Sequence, residues 1–297
     1  MRAVQTTDGA DLLAWRRRQL RHGGRAVDLD WLLDLAGGLP WADLQKLLVD
    51  SDRPVALQVP LSRLEALWQR HLSDHDPLQY LVGLCPWRDV LLEVNGSALI
   101  PRQETEQLLD LALVLCDARS VTRWADLGTG SGAIAVCLAR AYPGAAGHAV
   151  DASEQALGLA ERNLARLLSE HSCRLHHGTW WQPLKPWWGH FDLVLSNPPY
   201  IPNRVIETLA PTVRDHEPRL ALDGGTDGLH CIRQIVESAG DALAPGGWLL
   251  LEHHHDQSEA VLGLMQAAGL EQVASAADLA GIERFAIGRR PLRERRG

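Results

Sequence analysis

The chain has 297 residues, 46% hydrophobic and 22% charged, enough for a full core and more than one domain usually needs. Its formal charge of −8 argues against long-range attraction to nucleic acid or to an anionic membrane. Five cysteines are scattered without a C-x-x-C pair, as expected of free thiols in a reducing, cytoplasmic setting.

In chain order, Arg16-Arg17-Arg18 is not followed by an apolar run, so no signal peptide is expected. Four short helices are predicted: Asp11 to Arg21, Asp30 to Ala36, Trp41 to Val49 and Leu64 to His71. Gly37-Gly38 can end the second, and Ser62 with Glu65 would form a capping box for the fourth. The tryptophans at 15, 31, 41 and 68 suit a small core. Residues 1–75 thus read as a helical domain, recognising a partner or simply packing.

Val90, Leu92 and Val94 alternate on one face, predicting a hairpin within a linker over residues 76–100. A helix over Glu104 to Ala118 carries Leu108, Leu111, Ala112 and Leu115 on one side. Even its most apolar stretch, Leu108 to Cys116, contains Asp110 and is too short to cross a bilayer. From Val121 onward strands and helices alternate. Strands end at Leu127 and Val150 and span Cys173 to His177, Phe191 to Ser196 and Trp248 to Glu252. Helices run from Ala133, over Ser153 to Glu170, over Gly228 to Leu243 and over Gln257 to Ala268. Two last strands, near Leu270 to Ala274 and Glu283 to Ile287, suit a closing antiparallel hairpin. The pattern predicts an α/β fold, a doubly wound and mostly parallel sheet over residues 101–290, followed by a basic tail at 291–297.

Candidate chemistry gathers where these strands end. Asp126-Leu127-Gly128-Thr129-Gly130-Ser131-Gly132 passes from a strand through a glycine-rich turn into a helix. Such glycines let the backbone bend sharply and approach a ligand, facing it with helix N–H groups. Asp151 ends the next strand, about 20 positions beyond Gly128, where an acid can bind both hydroxyls of a ribose. A strand-end turn or N-cap shared with Ser153 is the plainer role for it. Asp126 could touch the ligand or brace the loop. The glycines do not follow G-x-G-x-x-G, and no Walker lysine is present.

Asn197-Pro198-Pro199-Tyr200 follows the strand ending at Ser196. Two prolines stiffen the loop and remove N–H donors, leaving the Asn197 side-chain oxygen and Pro198 carbonyl as acceptors beside the flat Tyr200 ring. That set suits a planar group bearing an NH2. His253-His254-His255 is a run of neighbours that point in different directions, which reads as a polar loop rather than a metal site.

Alternate-position glycines resemble the nucleoside loop of class I S-adenosylmethionine-dependent methyltransferases, and the Asn-Pro-Pro-Tyr block narrows the likeness to enzymes acting on amino or amide nitrogen. Three further blocks are similar to the HemK/PrmC family of peptide chain release factor glutamine methyltransferases. They are Pro77-Leu78-Gln79-Tyr80-Leu81-Val82-Gly83, Ile100-Pro101-Arg102-Gln103-Glu104-Thr105-Glu106, and Glu217-Pro218-Arg219 leading into Gly224-Gly225-Thr226-Asp227-Gly228-Leu229.

The resemblance, over roughly residues 75–289, implies a Rossmann-like seven-stranded methyltransferase sheet with S-adenosylmethionine as the cofactor. It also implies a release factor as protein substrate of a monomeric enzyme, with no nucleic acid or membrane partner. By resemblance, Asp126, Gly128, Thr129, Gly130, Ser131, Gly132, Asp151, Trp180 and Asn197 would hold the cofactor. Asn197, Pro198 and Tyr200 would be catalytic, and with Pro199 would bind substrate. Where the family often has an acid near the adenine this chain has Thr179, so adenine recognition is expected to lean on Trp180. The competing expectations are a nucleic-acid amino methyltransferase, which would need a base-flipping pocket and a basic track, and a non-catalytic binding module.

Overall fold

A computed structural model describes residues 5–117, 119–169 and 173–292. In chain order its elements are β1 (Gln5–Asp8), α1 (Gly9–Arg21), α2 (Ala26–Leu35), α3 (Trp41–Val49), β2 (Pro54–Leu57), α4 (Leu61–Ser73), α5 (Leu78–Val82), β3 (Leu84–Trp87) and β4 (Val90–Glu93). Then come α6 (Glu106–Leu115), β5 (Arg123–Leu127), α7 (Ala133–Ala141), β6 (Ala146–Asp151), α8 (Glu154–Leu167), β7 (Cys173–His177) and β8 (Phe191–Ser196). The last are α9 (Asn203–Ile206), α10 (Pro211–Arg214), α11 (His230–Ala242), β9 (Leu243–Glu252), α12 (Ser258–Ala267), β10 (Glu271–Ala277) and β11 (Glu283–Arg289). The expected basic tail, and the last residues anticipated for two helices (Ala118 and Glu170), lie wholly or partly outside the described residues.

The chain divides into two units. One runs to Leu84 and includes Pro211–His216; the other takes Cys85–Ala210 and the rest from Glu217. The division falls later than residue 75.

In the first unit Leu12, Leu29, Leu32, Leu44, Leu57, Leu64, Trp15 and Trp68 pack into a core. Trp31 is half-buried against it, whereas Trp41 is 59% exposed and belongs to no core. The unit is not all helical: β1 pairs antiparallel with β2, two strands too short for alternation to reveal. α4 begins at Leu61, and Pro60, extended at φ −68° and ψ 150°, leads into it. The expected Ser62–Glu65 capping box is therefore absent, because Ser62 already lies inside the helix.

The second unit is built on a seven-stranded sheet of order β10-β11-β9-β8-β5-β6-β7. β5 to β9 pair in parallel, and β11 and β10 close one edge antiparallel. The parallel strands are apolar runs because helices cover both their faces. Phe191, Val194, Leu249, Leu251, Ile232, Ile235, Val261 and Met265 form the main core, and each such side chain contributes about 1.5–3 kcal/mol by leaving water. β9 starts before Trp248 because Leu243 already pairs with Phe191, with a register shift before Leu193 meets Trp248. The chain winds from β5 to β6 and β7, then crosses back to β8 beside β5. Doubly wound sheets open their ligand crevice at such a reversal.

On β6 and β7 buried His148 packs against Trp187 and Phe191 and pairs with half-buried His176: His148 Nδ1 lies 3.0 Å from His176 Nε2. Burial above all, then the neighbouring His176, Arg123 and Arg174, pushes His148 down from 6.5 to about 4. The fold therefore favours the neutral ring. Its contribution is complete above the ordinary histidine pKa and is lost as pH falls from there toward 4, by up to about 3 kcal/mol. Replacing His148 with Gln should shrink the fall in Tm between pH 7 and pH 4.5 relative to wild type. Parallel melting curves for the two proteins would show that another group is the acid-labile one.

Candidate active site

The pairing register places the site. Leu127 stands opposite Val150 on one side and Ser196 on the other, and Ser196 stands opposite Leu251. Gly128, Asp151, Asn197 and Glu252 therefore come next at one level along the carboxyl edge. A cavity of about 480 Å³ opens beside that edge, within the range of about 300–1,000 Å³ typical of small-molecule sites. Its lining includes Gly128, Thr129, Gly130, Ser131, Asp151, Trp180, Asn197 and Pro199. Asp126, Gly132, Pro198 and Tyr200, also expected at the site, do not line it.

Gly128, Gly130 and Gly132 have φ of +78°, +55° and +83°, backbone that side-chain-bearing residues adopt only with strain. The Gly128 and Thr129 N–H groups both donate to the Val150 carbonyl, so the loop is pinned to β6. Gly132 precedes α7, and a Cβ there would approach the Ala160 Cβ to 3.1 Å. Gly132→Ala should therefore cost about 1–3 kcal/mol of stability. Gly144→Ala, at a position with open space around it, should stay within about 0.5 kcal/mol. Denaturant melts of the two variants check the pair.

Asp126 braces this loop. Wholly buried, it accepts from Thr129 Oγ1 at 2.6 Å and from the Ala135 N–H at 3.1 Å. Burial pushes its carboxyl up to about 7. Enclosure by its own strand end and α7 is the physical reason it takes the bracing role rather than a ligand-facing one. Asp151 differs: one oxygen accepts from the Gly130 N–H at 2.8 Å and the other from the Ser153 N–H at 2.9 Å. Each oxygen keeps a lone pair, so this carboxylate can accept from a vicinal diol as well as shape the turn. Burial raises its pKa, and the backbone donors oppose the rise.

Trp180 follows Gly178 and Thr179 in a strained turn with its own φ at +47°. Its Nε1 donates to Gln234 Oε1 at 2.9 Å, and a Cβ on Gly128 would meet its ring at 3.2 Å. The indole thus stands as a flat wall against the glycine loop. Apolar Ala98, Leu99 and Ile134 line the same cavity. A glycine loop that lets the indole pack close against it, a carboxylate with spare acceptor capacity and an aromatic wall fit a nucleoside.

Asn197 belongs to a network that its sequence neighbours conceal. Its Nδ2 donates to Thr105 Oγ1 at 3.0 Å, and Thr105 Oγ1 donates to Glu252 Oε2 at 2.6 Å. The Tyr200 hydroxyl donates to the other oxygen, Glu252 Oε1, at 3.1 Å. Glu252 is 2% exposed; burial raises its pKa while the two hydroxyl donors pull it back. Tyr200 is thereby anchored through its hydroxyl, and it does not line the cavity. Among the described residues no donor reaches Asn197 Oδ1 or the Pro198 carbonyl, and of these two residues only Asn197 lines the cavity.

A second tie stands beside the cavity. Arg102 Nη2 meets Glu217 Oε1 at 2.6 Å, and the Ile100 N–H reaches Glu217 Oε2 at 3.3 Å. Arg102, Pro218 and Leu220 all line the cavity. Thr105, Glu217, Gln234 and Glu252 escaped the sequence reading as site residues. For Glu252 a signal existed: an acid ending an apolar strand, like Asp126 and Asp151.

Comparison with known proteins agrees with this geometry. The methyltransferase small domain model matches residues 108–214. A release factor glutamine methyltransferase of Prochlorococcus marinus is 55% identical, covering 95% of this chain and 97% of that protein. One of Gloeobacter violaceus is 44% identical over 92% of this chain and 95% of its own length. The crystal structure of a methyltransferase from Pyrococcus furiosus, 19% identical, superposes with a TM-score of 0.51 over 78% of this chain and 98% of that one, a likeness of fold.

Proposed function

We infer the activity from kinship: the chain belongs to the release factor glutamine methyltransferase family, and it transfers a methyl group to the side-chain amide nitrogen of the Gln in the Gly-Gly-Gln motif of class I release factors. S-adenosylmethionine is the donor and, when bound, supplies an electrophilic sulfonium methyl. The observation that carries the reading is the free acceptor Asn197 Oδ1 on a cavity whose other wall suits a nucleoside.

Asp151 would accept the ribose hydroxyls, Trp180 would flank the adenine, and the glycine loop would admit the chain of the nucleoside close to the backbone. Asn197 Oδ1 and the Pro198 carbonyl would each accept one N–H of the substrate carboxamide. That grip fixes the amide plane and holds the nitrogen lone pair toward the methyl, an orientation effect. The same two oxygens favour positive charge developing on nitrogen, because they are already in place. No base has to act first, since the proton can leave after transfer. Thr129, Ser131, Gly132 and Asp126 would serve by holding the loop, and Pro199 by stiffening the wall. The protein substrate, free of nucleic acid, suits the charge of −8. Five free cysteines suit the cytoplasm. Residues 1–75, with the linker to residue 100, would present the release factor to the methyltransferase domain at 101–290.

Labelled S-adenosylmethionine should mark a purified release factor and leave its Gln-to-Ala variant and bulk nucleic acid unmarked; label on either of the latter overturns the substrate. Asn197→Ala should lower kcat by about a hundredfold or more, the scale of losing one preorganised group at a developing charge. Asp151→Asn should instead weaken donor binding by about tenfold or more, as expected for a lost charge-assisted hydrogen bond. Calorimetric titration against single-turnover rates separates the two effects.

A further inference from the structure

We propose that Glu252, acting through Thr105, is a positioning residue that sets which end of the Asn197 amide faces the substrate. The inference rests on the reading of Asn197 as the acceptor of the substrate's N–H. An Asn side chain is nearly symmetric in shape, and rotating its amide exchanges an acceptor for a donor. In a site that must accept an N–H, the rotated form is useless.

The network removes the choice. While Glu252 is ionised, the form its two hydroxyl donors favour, it has no hydrogen to give, so each hydroxyl that touches it must point its hydrogen there. Thr105 has a single hydroxyl hydrogen, and it is committed at 2.6 Å to Glu252 Oε2. Toward Asn197 the Thr105 oxygen can therefore only accept, and Asn197 must turn its NH2 inward at 3.0 Å. Oδ1 is then left for the cavity. Tyr200 occupies the other carboxylate oxygen at 3.1 Å, so Glu252 cannot turn away without losing a second partner. Glu252 is 2% and Thr105 4% exposed, so the inner end of the relay is buried, while Thr105 and Asn197 line the cavity at its outer end. Thr105 stands at the N-cap of α6, yet its side chain caps no backbone N–H. Its hydroxyl is given to this relay instead.

Glu252→Gln is nearly isosteric and removes the compulsion. A carboxamide at 252 can donate to Thr105, whose hydrogen then becomes available to Asn197 Oδ1, and the rotated amide gains a partner. Thr105→Val deletes the relay, and Thr105→Ser preserves it. With wild-type donor binding and melting temperature, Glu252→Gln and Thr105→Val should lose kcat by about ten- to a hundredfold, the scale seen when an outer partner that orients a functional ligand is removed. Thr105→Ser should turn over near the wild-type rate. Wild-type kcat in Glu252→Gln, or equal impairment in the Ser and Val variants, overturns the proposal; should Glu252→Gln fail to fold, the Thr105 pair decides.

A readout independent of turnover is the side-chain amide NMR signal of Asn197. Its NH2 protons should show contacts to the Thr105 methyl in the wild type that weaken in Glu252→Gln, and identical contacts in both proteins overturn the relay. If the wild type methylates no release factor while these contacts shift as expected, the substrate assignment fails and the relay stands.

Discussion

Ser196 on β8 pairs with Leu127 of β5 on one side and with Leu251 of β9 on the other, and Leu127 pairs in turn with Val150 of β6. Parallel pairing leaves no freedom once one such contact is set, because slipping a strand by one residue turns its whole apolar set to the opposite face. With both faces covered, that slip is prohibitive. The same constraint that buries Val194 and Leu249 thus brings a glycine turn, two acids and an asparagine from distant parts of the chain to one line. No loop has to find them.

Carboxylates are a recurrent cost of this arrangement. Asp126, Asp151, Glu217 and Glu252 are each shifted upward by burial, and each is steadied by donors from the chain itself. Asp126 holds a backbone N–H in the first turn of α7 and Asp151 one of the loop, Glu217 an arginine and a backbone N–H, and Glu252 two hydroxyls. These acids act as fixed anchors for the backbone and side chains around the cavity. Removing any one would leave its donors stranded in a poorly hydrated place.

Much of the sheet was legible because parallel strands write themselves as apolar runs, and their order with the intervening helices follows from alternation. The glycine turn, Asp151 and Asn197 were legible for a related reason: they sit where those runs stop. What escaped was of two kinds. β1 and β2 are four-residue strands, too brief for a period to emerge, and Trp41 is apolar yet 59% exposed. The roles of Thr105, Glu217, Gln234 and Glu252 depend on contacts between residues far apart in the chain, which no local pattern encodes. Tyr200 and Asp126 were placed near the site by their neighbours, yet their own partners turn them away from the cavity.

Asn163 on α8 is fully buried and faces two directions at once. Its Nδ2 donates to the Ser131 carbonyl and to the Glu93 carbonyl, and its Oδ1 accepts from the Glu93 N–H at 2.7 Å. The β3–β4 hairpin is consequently clamped to the back of the glycine turn, with one amide as the rivet. Drift in that hairpin's sequence is therefore not silent. A change that pulled Glu93 out of line would reach the turn as a mechanical load, and natural variation could retune nucleoside affinity there without altering a single residue that touches the ligand.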